Sequence, residues 1–114
     1  MSNAKWRKTF GAVAASSLGL KKSLWKFIHS ENIYDWPVPR VNDLCYYHLR
    51  DGRLQPVEYK WIEWIRFPRT WHPKPGVGYT ESQDIEGLKR VLSQTAQLHV
   101  EEDEHGLTLF GYGR

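Results

Sequence analysis

Apolar positions near the start of the chain recur at helical spacing. Trp6, Phe10, Val13, Ala14 and Ser17 fall at i, i+4, i+7, i+8 and i+11 and form one narrow stripe, with Lys5 and Lys8 off it. The spacing predicts a helix over 5–17, with Gly19 as its stop. From 23 to 31 the period shortens to two. Leu24, Lys26 and Ile28 point one way and Trp25, Phe27 and His29 the other, which predicts a strand, with a continued helix as the rival. Pro37 and Pro39 make 35–40 irregular. A Tyr-rich strand over 44–49 runs into Asp51-Gly52, the strongest short hairpin signal. The return strand starts near Leu54 and is interrupted at Pro56. A longer strand over 57–67 sets Val57, Tyr59, Trp61, Ile65 and Phe67 on one face and Ile62 and Trp64 on the other, so both faces are covered or a bulge lies near Glu63.

Three prolines and two glycines make 68–79 a loop. Thr80 followed by Gln83 has the spacing of a capping box, and Glu81, Asp84 and Glu86 suit the positive end of a helix dipole. Ile85, Leu88, Val91, Leu92, Thr95 and Ala96 form that helix's apolar face. Segments 98–102 and 107–112 read as a closing hairpin around His105-Gly106. The predicted order is α-β-β-β-α-β-β: an α+β fold, an antiparallel sheet with two flanking helices. Residues 5–114 form one globular domain. Residues 1–4 read as a tag or a disordered start, because Ser2-Asn3-Ala4 resembles a cloning scar.

Composition supports a packed core. The chain has 114 residues, of which 40% are apolar, and it carries six Trp, six Tyr and four Phe. That length suffices for a core without staples. There are 16 Lys and Arg against 13 Asp and Glu, a formal net charge of +3. The bases gather early, at Lys5, Arg7, Lys8, Lys21, Lys22 and Lys26, and a short acidic run follows late, Glu101-Glu102-Asp103-Glu104. A mild mixed charge of this kind makes nucleic acid an unlikely partner, since such binders need several phosphate contacts. Cys45 is the single cysteine, so an internal disulfide and Cys-rich zinc modules are excluded. No apolar run approaches the roughly 20 residues of a membrane span. The segment 10–20 mimics a signal peptide, but Lys21-Lys22 would interrupt its apolar region, and a reduced, cytoplasmic protein is expected.

Chemistry is harder to find. The sequence lacks a phosphate-cradling glycine loop, a nucleophile elbow and a His-Glu-x-x-His helix. Cys45 and His48 lie three apart, on opposite faces of a strand, which disfavours a shared metal or a dyad. His72, beside Arg69, Trp71 and Lys74 in an irregular loop, fits a small metal-independent ribonuclease; the ordinary reading folds Trp71 onto the core and leaves its neighbours solvated. Glu101–Glu104 reads as a solvated turn or as a contact patch for a basic partner. Trp6, Trp25 and Trp61 fit the core stripes. Trp36 and Trp71 sit in Pro-rich loops, where an exposed Trp with nearby Arg has the make-up of a binding hot spot; lids over a small core are the alternative. No cofactor, metal or small-molecule substrate is expected.

Lys5-Trp6-Arg7 opening a helix, Tyr46-Tyr47-His48 in a strand, Trp61-Ile62-Glu63-Trp64 in another and a last hairpin ending Phe110-Gly111-Tyr112 give a recognisable order. The chain resembles a group of small stand-alone bacterial α+β proteins. It is more distantly similar to immunity proteins of contact-dependent growth-inhibition and other polymorphic toxin systems. That resemblance implies a non-catalytic protein that covers a toxin domain's active site or substrate surface. No catalytic residue comes with it. Inhibitors of nuclease toxins are often acidic, whereas this chain is slightly basic. The expected contact residues are Trp36, Arg40, Arg69, Trp71 and His72, with Glu101, Glu102, Asp103 and Glu104 as a second patch. The alternatives are a ribonuclease or toxin domain acting through His72, and an RNA- or DNA-binding accessory module using the basic first helix.

Overall fold

A computed structural model describes residues 1–39, 48, 49, 57–73, 76 and 78–112. Helix α1 spans Asn3–Ala15, and Ser2 caps it by accepting a hydrogen bond from the Lys5 backbone N–H at 3.1 Å. The predicted stripe holds at Trp6, Phe10 and Val13, which are buried, but Ala14 and Ser17 are exposed and Thr9 is buried instead. The Thr9 hydroxyl donates to the Lys5 carbonyl at 2.8 Å, so no polar group is orphaned by its burial. The helix stops before Gly19. Ser16 turns its N–H and hydroxyl to the Val13 carbonyl, and Ser17 takes the left-handed conformation at φ +61°.

The strands that follow are β1 (Leu24–Phe27), β2 (Ile33–Asp35), β3 (His48–Leu49), β4 (Val57–Glu58), β5 (Ile62–Pro68), β6 (Thr70–Trp71) and β7 (Glu81–Ser82). Helix α2 (Ile85–Thr95) then precedes β8 (His99–Asp103) and β9 (Gly106–Phe110). Five of the strands make an antiparallel sheet in the order β2-β1-β5-β9-β8, with small ladders β3-β4 and β6-β7 beside it. The protein is therefore α+β. Among the described residues no helix is long and apolar enough to cross a membrane.

Three expectations need correcting. The long strand over 57–67 is broken by a 3-10 turn at Tyr59–Trp61. The 68–79 loop is part sheet, because β5 runs to Pro68 and β6 pairs with β7. Thr80 does not cap α2. Its neighbours Glu81 and Ser82 pair in β7, and Asp84 caps the helix through the Gly87 N–H at 2.8 Å. The predicted turn at Asp51-Gly52 lies outside the described residues, as do Cys45, Tyr46 and Tyr47; His48 and Leu49 pair antiparallel with Glu58 and Val57.

Of the two readings of the uneven spacing in 57–67, the bulge near Glu63 is the one present. Lys26 pairs with Trp64 but Phe27 pairs with Ile62, so Glu63 is the extra residue. The bulge lets Ile62, Ile65 and Phe67 all face inward despite their uneven spacing. Both helices contact each other and lie against the same core. Trp6 stacks on Phe10 at 5.2 Å, and Phe10 stacks on Trp25 at 5.7 Å and Tyr59 at 6.3 Å. Each such ring contributes on the order of 1.5–3 kcal/mol through burial. Trp61 departs from its expected core place. It is half-buried, with its ring edge-on to the exposed His29.

Candidate functional site

The register brings most of the predicted contact residues to one end of the sheet, where β1 begins and β5 ends. Arg69 follows directly on β5, and its N–H donates to the His105 carbonyl at 2.7 Å, across the tip of the β8-β9 hairpin. Its guanidinium then reaches two carboxylates, Glu102 at 3.1 Å and Glu86 at 3.4 Å. Glu102 also accepts from Lys89 at 2.8 Å, which links α2 to β8. One strand further in, Arg66 donates to Thr108 at 2.9 Å and to Asp103 at 2.8 Å. Arg66 and Thr108 are cross-strand partners on the sheet face turned away from the helices, so pleat and register alone set up that contact.

The acidic run thus has unequal members. Asp103 is the most constrained: Arg66 first, then the His105 backbone N–H, hold its carboxyl well below the usual range, at about 2. Hydrogen bonding from Lys89 lowers the Glu102 carboxyl, and the same contact raises the Lys89 ammonium. Glu101 stands 3.9 Å from His99, and Glu104 stands 3.2 Å from His105 in a pair where both side chains are exposed. The run is neither a bare solvated turn nor four free charges. Its inner two members are fixed by the protein's own cations, and its outer two face solvent.

Trp71 is half-buried in β6, opposite Glu81. His72 is exposed. Its Nδ1 lies 3.2 Å from the Tyr79 carbonyl, an acceptor only, so Nδ1 carries the proton in this contact. Of the basic neighbours that would make His72 part of a nuclease site, Arg69 is bonded to Glu86 and Glu102, and Lys74 lies outside the described residues. Among the described residues no group of three or more His, Cys, Asp or Glu side chains is placed to hold a metal ion.

Trp36 lies at the same end of the sheet but toward its other edge. Its N–H donates to the Ser23 carbonyl at 3.1 Å, and its carbonyl accepts from the Ser23 hydroxyl. The ring is half-buried, 5.4 Å from Phe27 and Tyr34 and 5.9 Å from Trp25. It both closes the core rim and presents an edge to solvent. Arg40 lies outside the described residues. A separate apolar groove of 260 Å³, bordered by Val13, Leu18, Leu20 and Val38, includes none of the predicted contact residues.

Sequence reasoning missed Gln83, Arg66 and Lys89. Gln83 accepts from the N–H groups of Lys21 and Lys22 at 2.9 and 3.1 Å, and its amide donates to the carbonyls of Lys22 and Pro68 at 2.9 and 2.7 Å. It clamps the start of β1 to the end of β5 beneath the β6-β7 ladder. The only sequence signal was its place three residues after Thr80, and that pointed to a different role. No family model, curated protein or solved structure matches the chain.

Proposed function

We propose that the chain is an immunity protein, which binds a cognate bacterial toxin domain one to one and occludes its working surface. The observation that carries this reading is the sheet end just described, where two half-buried tryptophans flank charges already held in place by ion pairs. Aromatic anchors give a contact its affinity, and charges that need no reordering steer the encounter at little entropic cost. Strands stand about 4.8 Å apart, so Trp36 and the β8-β9 hairpin are separated by on the order of 20 Å. A patch of about 800 Å² per partner covers both. The partner class comes from the sequence resemblance alone: the aromatic order resembles that of small stand-alone bacterial proteins and, more distantly, of immunity proteins.

The test is co-expression with the toxin domain encoded beside the gene. The chain alone leaves growth unaffected, rescues cells from the toxin and co-purifies with it. Trp71→Ala and Trp36→Ala each weaken the complex tenfold or more, about 1.4 kcal/mol or above. Growth arrest by the chain alone, or failure to bind the neighbouring domain, would sink the proposal.

A further inference from the structure

We infer that the outward face of the two helices is a binding surface for the phosphodiester backbone of nucleic acid. In the sequence the bases and acids nearly cancel, but ion pairing in the fold separates them. Among the described residues Lys22, Lys26, Lys60, Arg66, Arg69 and Lys89 each lie 2.6 to 3.9 Å from a carboxylate. Lys5, Lys8, Lys21 and Arg90 make no ion pair among the described residues; Lys5, Lys8 and Arg90 are on the helices, and Lys21 lies between α1 and β1.

The helical period puts two of these cations on top of the layer. At about 100° per residue, Lys8 points away from the buried Trp6–Phe10–Val13 stripe, and Arg90 points away from Leu88 and Leu92; both are exposed. Lys5 sits half-buried on the flank of α1. The helices are neighbours, with Leu18 just past α1 packed against Gly87 in the first turn of α2. No carboxylate lies within α1. The one within α2, Glu86, bonds to Arg69, and Asp84 just before it is occupied as the cap. Neither carboxylate is bonded to Lys8 or Arg90, and the exposed Glu86 stands one helical turn before Arg90.

The rest of the face decides the partner class. Among the described residues the exposed large apolar side chains are Ile28, Ile33, Tyr79 and Tyr112, and none is on either helix. Around Lys8 and Arg90 the other exposed helix positions are Ala4, Ala14, Ala15, Glu86, Lys89, Ser93 and Gln94, of which Glu86 and Lys89 are ion-paired to Arg69 and Glu102. A membrane-surface helix needs apolar side chains to insert, and a protein interface needs aromatic or aliphatic anchors. A phosphate backbone needs only cations and small hydrogen-bonding groups. RNA and DNA offer the same backbone chemistry. This surface is distinct from the sheet end with Trp36 and Trp71, and it does not rest on the immunity reading.

Fluorescence anisotropy with labelled mixed-sequence RNA and DNA duplexes tests the assignment in the whole chain. Binding is expected to be sequence-independent and to weaken steeply between about 50 and 200 mM salt. The triple substitution Lys5→Gln, Lys8→Gln, Arg90→Gln should reduce affinity at least tenfold and flatten the log–log salt slope by about 3, near 0.9 per lost phosphate contact. Lys5→Arg with Lys8→Arg should retain binding. These are surface positions, and an unchanged circular dichroism spectrum and melting curve verify the fold. If the triple variant binds like the parent, the inference is overturned. Polyglutamate competing as well as the duplex at equal charge would reassign the face to acidic proteins, and equal retention on phosphatidylserine vesicles would reassign it to membranes; either result overturns it too.

Discussion

At the scale of single residues, two polar side chains do more than their place in the sequence suggests. Ser23 is fully buried, and its hydroxyl stands between two tryptophans. It accepts from the Trp25 indole N–H at 3.0 Å and donates to the Trp36 carbonyl. Alanine at this position leaves a buried indole N–H without a partner, which costs roughly 1–3 kcal/mol. Ser23→Ala should lower stability by that amount in chemical denaturation, and by loosening Trp36 it should also weaken the proposed complex. Gln83 gives a sharper contrast. Its amide donates to two carbonyls and its oxygen accepts from two N–H groups, so only an amide satisfies all four. Gln83→Ala should cost roughly 1–3 kcal/mol. Gln83→Glu should cost at least as much, because a carboxylate then faces the Lys22 and Pro68 carbonyls. Equal stability of the glutamate variant and the parent would show that the donating half of the clamp is irrelevant.

At the scale of elements, what the sequence disclosed is what depends on neighbours along the chain. The period-two alternation of Trp25 and Phe27, the 3.6-residue face of Leu88 and Leu92, and the hairpin around Gly106 are local patterns, and each appears in the fold. Even the bulge at Glu63 was legible as one of two readings, because Ile62 and Ile65 cannot share a face in a regular strand. Partnerships set by distant register were not legible. Lys21 meets Gln83 across 62 positions and Arg66 meets Asp103 across 37, and no local pattern encodes either distance. The helix cap failed for a related reason: Thr80 and Asp84 were both competent, and the pairing of Glu81 with Trp71 decided between them. The two glycines of the last hairpin make the same point. Gly106 opens β9 with an ordinary backbone, yet a Cβ there would collide with the Phe67 carbonyl; at Gly111 it would meet the Ile62 carbonyl and the Trp6 ring. Gly106→Ala and Gly111→Ala should each destabilise by about 1–3 kcal/mol through overpacking of β9 on β5, measured by urea unfolding. A neutral effect would mean that the two strands part easily.

At the scale of the whole molecule, ion pairs tie α2, β5 and β8 together around the candidate site, and their titration fixes how stability depends on pH. Asp103 and Glu102 have carboxyls lowered by Arg66 and Lys89 respectively. A carboxylate that is more acidic folded than unfolded stabilises the fold above its ordinary value, and that contribution fades as pH falls through the folded value. For Asp103 the window runs from 3.8 down to about 2. Lys89 is shifted upward, so its contribution is complete below its ordinary value and is lost only as pH rises beyond it, on the alkaline side of 10.5. The melting temperature should therefore hold level near neutrality and drop on the acid side below about pH 4. Asp103→Asn separates the pairing from the turn. An Asn oxygen can still accept from the His105 and Gly106 N–H groups, but it carries no charge for Arg66. The variant should melt below the parent at pH 7, and the gap should close as pH approaches 2. High salt should narrow the gap at pH 7 as well, because both side chains are partly in water. A constant gap from pH 7 to 2 would mean that Asp103 acts through its backbone contacts alone. The charge ordering at this end of the sheet, on which the proposed recognition surface depends, would then need another cause.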